Sequence, residues 1–259
     1  MSEITREKIL AINRKGWDKV APLFYGGTAL PQYGPLAQTE DSLKLIDDLT
    51  GKAVLELGCG SGHSLVYLAR NKKAAELWGL DLSPEQIRFS RETLQNENIS
   101  AQVLRSSMDE NPGIPVAHFD LVISIYGLGW TPDLERTLAL VYAYLKPGGT
   151  FIFSWEHPTY KCLRYDETVS GYVFDHPYLE EGPEIDFNWR GVEIVLYMRT
   201  FSTYLNALIG AGLLLEKVIE SEPNPAIARE KDLDPAKWYS TPRARLLPTT
   251  FIVKARKPA

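Results

Sequence analysis

Cysteine is scarce in this chain. Its 259 residues include two, Cys59 and Cys162, too few for a disulfide framework, and neither has a second Cys or His at metal-ligand spacing. No metal is therefore expected, and a reducing cytoplasm is the expected location. Long apolar runs are missing as well. The longest, residues 119–130, falls short of the roughly 20 residues that cross a bilayer. Residues 1–12 mix Glu3, Arg6, Glu7 and Lys8 with isolated apolar residues, which suits an amphipathic helix and not a signal peptide. Positive charge is not in excess either. A net charge of -5 lacks the cationic footprint that a phosphate backbone requires, so neither nucleic acid nor a membrane is expected as a partner. The one basic cluster, Arg243 and Arg245 beside Pro242, reads as a solvated loop.

What is present has the balance of an ordinary folded protein, 44% hydrophobic and 24% charged. The length suits one large α/β domain with insertions better than two independent cores. Short β-rich runs alternate with helical patterns, which predicts parallel strands joined by crossover helices in three layers. Strands are expected over residues 53–57, 76–80, 101–105, 119–124 and 150–155, apolar enough to be covered on both faces. Helices are expected over 61–70, 84–95 and 134–145, the second capped by Ser83 with Pro84 at its first position. Lys146-Pro147-Gly148-Gly149 stops the third. Residues 156–190 lose periodicity and read as an insertion. A strand at 192–200, a helix at 201–211 and strands at 213–220 and 249–255 follow. The expected layout is an N-terminal cap or lid (1–40), a core (50–156), an inserted substrate cap (157–191) and the C-terminal part of the sheet (192–259).

The most informative stretch is Val54-Leu55-Glu56-Leu57-Gly58-Cys59-Gly60-Ser61-Gly62, a strand entering a glycine turn and then a helix. Glycines let the backbone turn sharply against a ligand, and the helix start presents free N–H groups. Asp81, at the end of the second strand, is placed to accept hydrogen bonds from two ribose hydroxyls. A dinucleotide loop keeps two residues before its last glycine to seat a pyrophosphate, whereas Gly58, Gly60 and Gly62 alternate singly. That spacing suits a nucleoside without phosphates.

Residues 56–62, Gly79-Leu80-Asp81-Leu82-Ser83, Phe119-Asp120-Leu121-Val122 and Lys146-Pro147-Gly148-Gly149 together resemble the successive motifs of the class I S-adenosylmethionine-dependent methyltransferases. The resemblance implies a three-layer Rossmann-like α/β fold: a mostly parallel seven-stranded sheet with an antiparallel last strand, plus N-terminal and inserted cap segments. It implies S-adenosylmethionine as cofactor, S-adenosylhomocysteine as product and methyl transfer to a small-molecule acceptor. Gly58, Cys59, Gly60 and Gly62 would form the turn at the methionine part, Glu56 would order it, Asp81 would hold the ribose and Leu82 would lie against adenine. Where the family often has an acid for the adenine amino group, this chain has Ser107, followed by Met108. Ser124, Ile125 and Tyr126 would line the methyl-donor side. Two other readings share the fold: a non-catalytic protein that binds the same cofactor, and a nicotinamide-dependent oxidoreductase.

Methyl transfer is an in-line displacement that needs alignment and exclusion of water, so a lid is expected. The aromatic segments 17–35 and 156–190 could supply it and suit an apolar, aromatic or cationic substrate. Residues 26–35 read as a loop across the cofactor site, with Tyr33 touching the cofactor. His157, after the fifth strand, is the expected general base; His176 and Asp186 are weaker choices, and His63 is expected to cap or pack. Oligomeric state stays open.

Overall fold

The structure, a computed structural model, describes residues 4–259; residues 1–3, where the expected N-terminal helix begins, lie outside the described residues. The Thr5 hydroxyl accepts a hydrogen bond from Lys8 N at 3.4 Å and starts α1, Arg6–Phe24. The helix continues well past residue 12, so Trp17 and Phe24 sit on it. A short α2, Glu40–Leu43, follows. The buried Glu40 carboxylate accepts bonds from Leu45 N, Ile46 N, the Tyr33 hydroxyl and Lys72 Nζ, which pins this segment to the core.

The first half of the sheet is β1 Ala53–Leu57, β2 Glu76–Asp81, β3 Gln102–Arg105 and β4 Phe119–Ile125, with crossover helices α3 His63–Lys72 and α4 Pro84–Asn96. All five residues of β1 are buried, because helices cover both faces of a parallel sheet. Truncating one of them, Leu55→Ala, would cost about 2–5 kcal/mol through lost burial and the cavity left behind. The Ser83 hydroxyl caps α4, accepting from Gln86 N at 3.1 Å, with Pro84 in the first turn. Helix α5, Leu134–Tyr144, is capped by Asp133, which accepts from Arg136 N at 2.9 Å.

Strand β5 runs Leu145–Glu156, five residues earlier than expected. Leu145 pairs with Phe119 and Thr150 with Leu121, so the intervening residues bulge out of a ladder that already began before the glycines. The segment after β5 is not irregular as expected. It holds α6 Pro158–Lys161 and a hairpin of β6 Leu163–Asp166 with β7 Gly171–Phe174, and then β8 Gly182–Trp189 paired with β9 Val192–Met198. The strand expected at 192–200 thus exists but leaves the main sheet: it is the second strand of a separate hairpin lying on α1. That close approach requires Gly16, where a Cβ would sit 2.9 Å from the Ile194 side chain.

Helix α7 Phe201–Gly210 leads to β10 Leu214–Glu220; after it come α8 Thr241–Ala244 and β11 Thr250–Arg256. The seven-stranded sheet has the order β10-β11-β5-β4-β1-β2-β3, with β11 antiparallel to both neighbours. This is the Rossmann-like arrangement that the motifs implied. The basic cluster expected in a solvated loop is split. Arg245 is exposed, whereas Arg243 is buried: its guanidinium donates to the carbonyls of Trp238, Tyr160 and Leu163 and lies 4.0 Å from the Tyr160 ring. No described helix is long and apolar enough to cross a membrane.

Candidate active site

A cleft of about 890 Å³, partly open to solvent, lies at the carboxyl ends of β1, β2 and β4 under α1. It stands where open α/β sheets bind ligands. Its floor is the glycine turn. Gly58 N and Cys59 N both donate to the Leu80 carbonyl, at 2.8 and 3.0 Å, which locks the turn to β2. Gly58 has φ +71°, and a Cβ there would meet the Gly127 Cα at 3.1 Å, so the turns after β1 and β4 approach backbone to backbone.

Asp81 closes this turn from the second strand. One carboxylate oxygen accepts from Gly60 N and the other from Ser83 N, each at 2.9 Å. Burial pushes its carboxyl up to about 6 against these hydrogen bonds. Below the turn, burial pushes the Glu56 carboxyl up to about 8, and its Oε2 is buried without a hydrogen-bond partner.

Of the residues expected at the cofactor, Gly58, Cys59, Gly60, Asp81, Leu82, Ser107, Met108 and Ile125 line the cleft, as does Tyr126. Four do not. Glu56 is buried beneath the turn, Gly62 takes φ +81° as the cap of α3, and Ser124 is buried and donates to the Leu57 carbonyl at 2.9 Å. These three shape the turn from behind. Tyr33 is fully buried and donates to Glu40 at 2.7 Å, so its expected contact with the cofactor is corrected; from the same loop, residues 26–29 line the cleft instead.

His157 is also corrected. It lies in a separate cavity with Glu156, Arg199 and Tyr204, its Nε2 2.6 Å from Glu220 and its ring stacked on Phe201, and burial lowers its pKa although Glu220 opposes this. It faces no part of the cleft. His176 and Asp186 lie outside the cleft too: His176 stands 4.0 Å from Glu184, and Asp186 turns the β8 backbone by accepting from Asn188 N. His63 does line the cleft, edge-on to Tyr25 at 4.6 Å, and burial lowers its pKa. Among the described residues no group of His, Cys, Asp and Glu could hold a metal ion.

The roof is helix α1, tied down through Arg6, Asn13 and Asp18. Arg6 donates to the fully buried Asp109 at 2.6 and 2.9 Å, and Asp109 also accepts from the Ser107 hydroxyl. Asn13 both donates to and accepts from the Val195 backbone, and the Ser83 hydroxyl donates to Asp18 at 2.6 Å. Leu10, Asn13, Trp17 and Phe24 line the cleft from this helix. Leu10, Asn13 and Trp130 escaped the sequence reading. A signal for the first two existed: residues 10, 13, 17 and 24 share one helical face, visible once the helix is extended past residue 12.

Comparison with known proteins agrees with this geometry. The family profile described as a methyltransferase domain matches residues 54–149. A solved S-adenosylmethionine-dependent methyltransferase from Mesorhizobium loti is 30% identical, covers 82% of this chain and 94% of that one, and superposes with a TM-score of 0.67. A Haemophilus influenzae protein named only as uncharacterized is 30% identical over 83% of this chain and 85% of its own length. The fatty-acid O-methyltransferase of Mycolicibacterium smegmatis is 30% identical over 164 residues, 59% of either chain. The match thus spans little more than half of that relative.

Proposed function

Because this chain belongs to the S-adenosylmethionine-dependent methyltransferases, we propose that its acceptor is a small molecule, held in the cleft between the glycine turn and α1. The cofactor is S-adenosylmethionine, and the residues present fit it. The close approach of Gly58 and Gly127 leaves a cradle that a Cβ would fill, and the Asp81 carboxylate opens into the same cleft. When bound, S-adenosylmethionine supplies an electrophilic methyl group and leaves as S-adenosylhomocysteine.

In this reading Gly58, Cys59 and Gly60 hold the methionine part through backbone contacts, with Glu56 below them as an uncharged carboxyl at neutral pH. Asp81 accepts from the ribose hydroxyls with the lone pairs left after binding Gly60 N and Ser83 N. Leu82 and Met108 pack against adenine. The Ser107 hydroxyl, already donating to Asp109, is turned so that its oxygen accepts from the adenine amino group. It thus takes the place of the usual acid. Ile125 and Tyr126 face the methyl side. Helix α1 and the β8–β9 hairpin exclude water, which an in-line displacement in a desolvated site requires.

The bond from Gly60 N to Asp81, which joins turn and carboxylate into one edge, supports the cofactor placement, and the cleft roofed by α1 supports a small acceptor. Calorimetric titration tests it: S-adenosylmethionine and S-adenosylhomocysteine bind with one-to-one stoichiometry, and a nicotinamide dinucleotide does not. A screen for S-adenosylhomocysteine release then separates an enzyme for small acceptors from a protein that only binds the cofactor. Silence of the purified chain toward both adenosyl ligands would sink the reading.

A further inference from the structure

Charge is sparse in the cleft. Facing the cradle, Trp17 and Phe24 from α1 and Trp130 from the turn after β4 form an aromatic wall backed by Trp189 of β8. The Trp17 ring lies 5.0 Å from Phe24, 5.1 Å from Trp130 and 5.4 Å from Trp189. The carboxylate that lines the cleft is Asp81, and Ser106 N donates to the Asp81 carbonyl at 3.0 Å, which places Ser107 and Met108 on its side. Where the glycine turn passes into α3, the lining is Ser61, His63 and residues 26–29, with no acid among them. Among the described residues no Lys or Arg side chain lines the cleft.

His63 is the first residue of α3. Its ring stands edge-on to Tyr25, yet its Nε2 is buried without a hydrogen-bond partner. Packing alone gives no reason for such an orphan, because a buried polar atom left unpaired costs free energy that an apolar ring would not. Gly26, at φ +69°, faces this nitrogen; a Cβ there would stand 3.8 Å from it and fill the space at its side. Burial lowers the pKa of His63 although Glu97, after α4, opposes this, so the ring is neutral at neutral pH. The tautomer with its hydrogen on Nε2 offers that atom as a donor.

We infer that the His63 ring N–H receives the α-carboxylate of the bound cofactor, an inference that rests on the methyltransferase reading above. With the ribose on Asp81 and the sulfur over Gly58 to Gly60, the amino-acid end extends past Ser61 toward the start of α3. There its carboxylate meets a ring nitrogen without a partner and no acid to repel it. Turned the other way round, the same carboxylate would lie against Asp81. A hydrogen bond to an ionised acceptor is about twice as strong as one between neutral groups, which offsets the absence of Lys and Arg.

The test is calorimetric titration at neutral pH with two ligands, S-adenosylhomocysteine and its decarboxylated form, which keeps the nucleoside, the sulfur and the amine. The wild-type protein is expected to bind S-adenosylhomocysteine about tenfold more tightly than the decarboxylated form. His63→Phe should lose about tenfold for S-adenosylhomocysteine and less than about twofold for the decarboxylated form, which brings the two affinities together. His63→Gln keeps an N–H donor and should stay within about threefold of wild type for both. His63→Ala serves in place of His63→Phe if circular dichroism shows that variant unfolded, with the same outcomes expected. Equal affinity of the wild-type protein for the two ligands overturns the inference, and so does a preference for the carboxylate that survives His63→Phe. Parallel weakening of both ligands in the variant assigns His63 to structure and overturns it too. These outcomes leave the methyltransferase reading standing; wild-type protein that binds neither ligand removes that reading.

Discussion

The cradle and the aromatic wall face each other across one cleft but are built by different physics. The cradle draws on one stretch of chain, from β1 to the turn after β4, and works through backbone N–H groups and one carboxylate set by the ends of parallel strands. The wall draws on three distant segments and works through side-chain packing: Trp17 and Phe24, Trp130, and Trp189 meet only after α1 is laid over the sheet and the β8–β9 hairpin over α1. A backbone cradle tolerates little change in chain geometry and holds an invariant ligand. A packed wall can exchange one ring for another, so acceptor choice can drift while the cofactor stays.

The largest expected effect falls on the cradle. If Asp81 holds the ribose as proposed, Asp81→Asn should lower S-adenosylhomocysteine affinity about 10- to 100-fold at unchanged fold, since hydrogen bonds to charged groups contribute about 1.5–3 kcal/mol each. Calorimetry with circular dichroism checks it. A similar loss from Trp189→Ala would erase the distinction between the two sides.

The same carboxylate gives a pH signature. Its folded pKa is raised, to about 6, so its ionisation works against folding: relative to the unfolded chain, stability is lost as pH rises from about 4 to 6. Ligand binding has the opposite sign in the proposed reading, where the ribose hydroxyls donate to the ionised form. S-adenosylhomocysteine affinity is expected to fall about tenfold from pH 7 to pH 5; a fall that persists unchanged in Asp81→Asn would rule Asp81 out as its source.

The roof is sharpened by Arg6→Gln, which leaves the buried Asp109 without its cation. A loss of about 1–3 kcal/mol follows from a pair buried on one side and one-third exposed on the other. It reads out as a Tm several degrees lower. The hydrogen bonds to Arg6 and Ser107 hold the Asp109 carboxyl below the usual carboxylate range although burial opposes them. The wild-type contribution is therefore present above the ordinary carboxylate pKa and lost as acid protonates the folded site; Arg6→Gln should blunt that acid sensitivity. The smallest effect is expected from His157→Gln: it lies in another cavity, so turnover should change less than about twofold while stability drops modestly. A turnover loss with stability intact would return His157 to the chemistry.

Legibility followed the same division. The strand-turn-helix at Gly58–Gly62 and the acid at Asp81 could be read directly, because local backbone demands select glycine and strand ends select the carboxylate. Ser124 and Glu56 were rightly drawn to the region, yet they support the turn from beneath; a side chain pointing down from a strand and one pointing up have the same spacing in sequence. Tyr33 and His157 were misplaced because a buried carboxylate, Glu40 in one case, and a neighbouring strand, with Glu220 in the other, claim them, and such partners lie outside any local pattern. The β9 segment had the right period but the wrong sheet, since alternation does not say which edge a strand will join.

By itself, then, the sequence determined the parallel sheet, the positions of its first strands along the chain and the glycine turn after the first of them, because each follows from hydrophobic period and from backbone angles that few residues adopt. Only the tertiary structure decided which aromatic rings face the cleft, where α1 is latched and which histidine is excluded. Those depend on contacts between residues far apart in the chain, such as Arg6 with Asp109, Asn13 with Val195 and His157 with Glu220, and no local pattern encodes them.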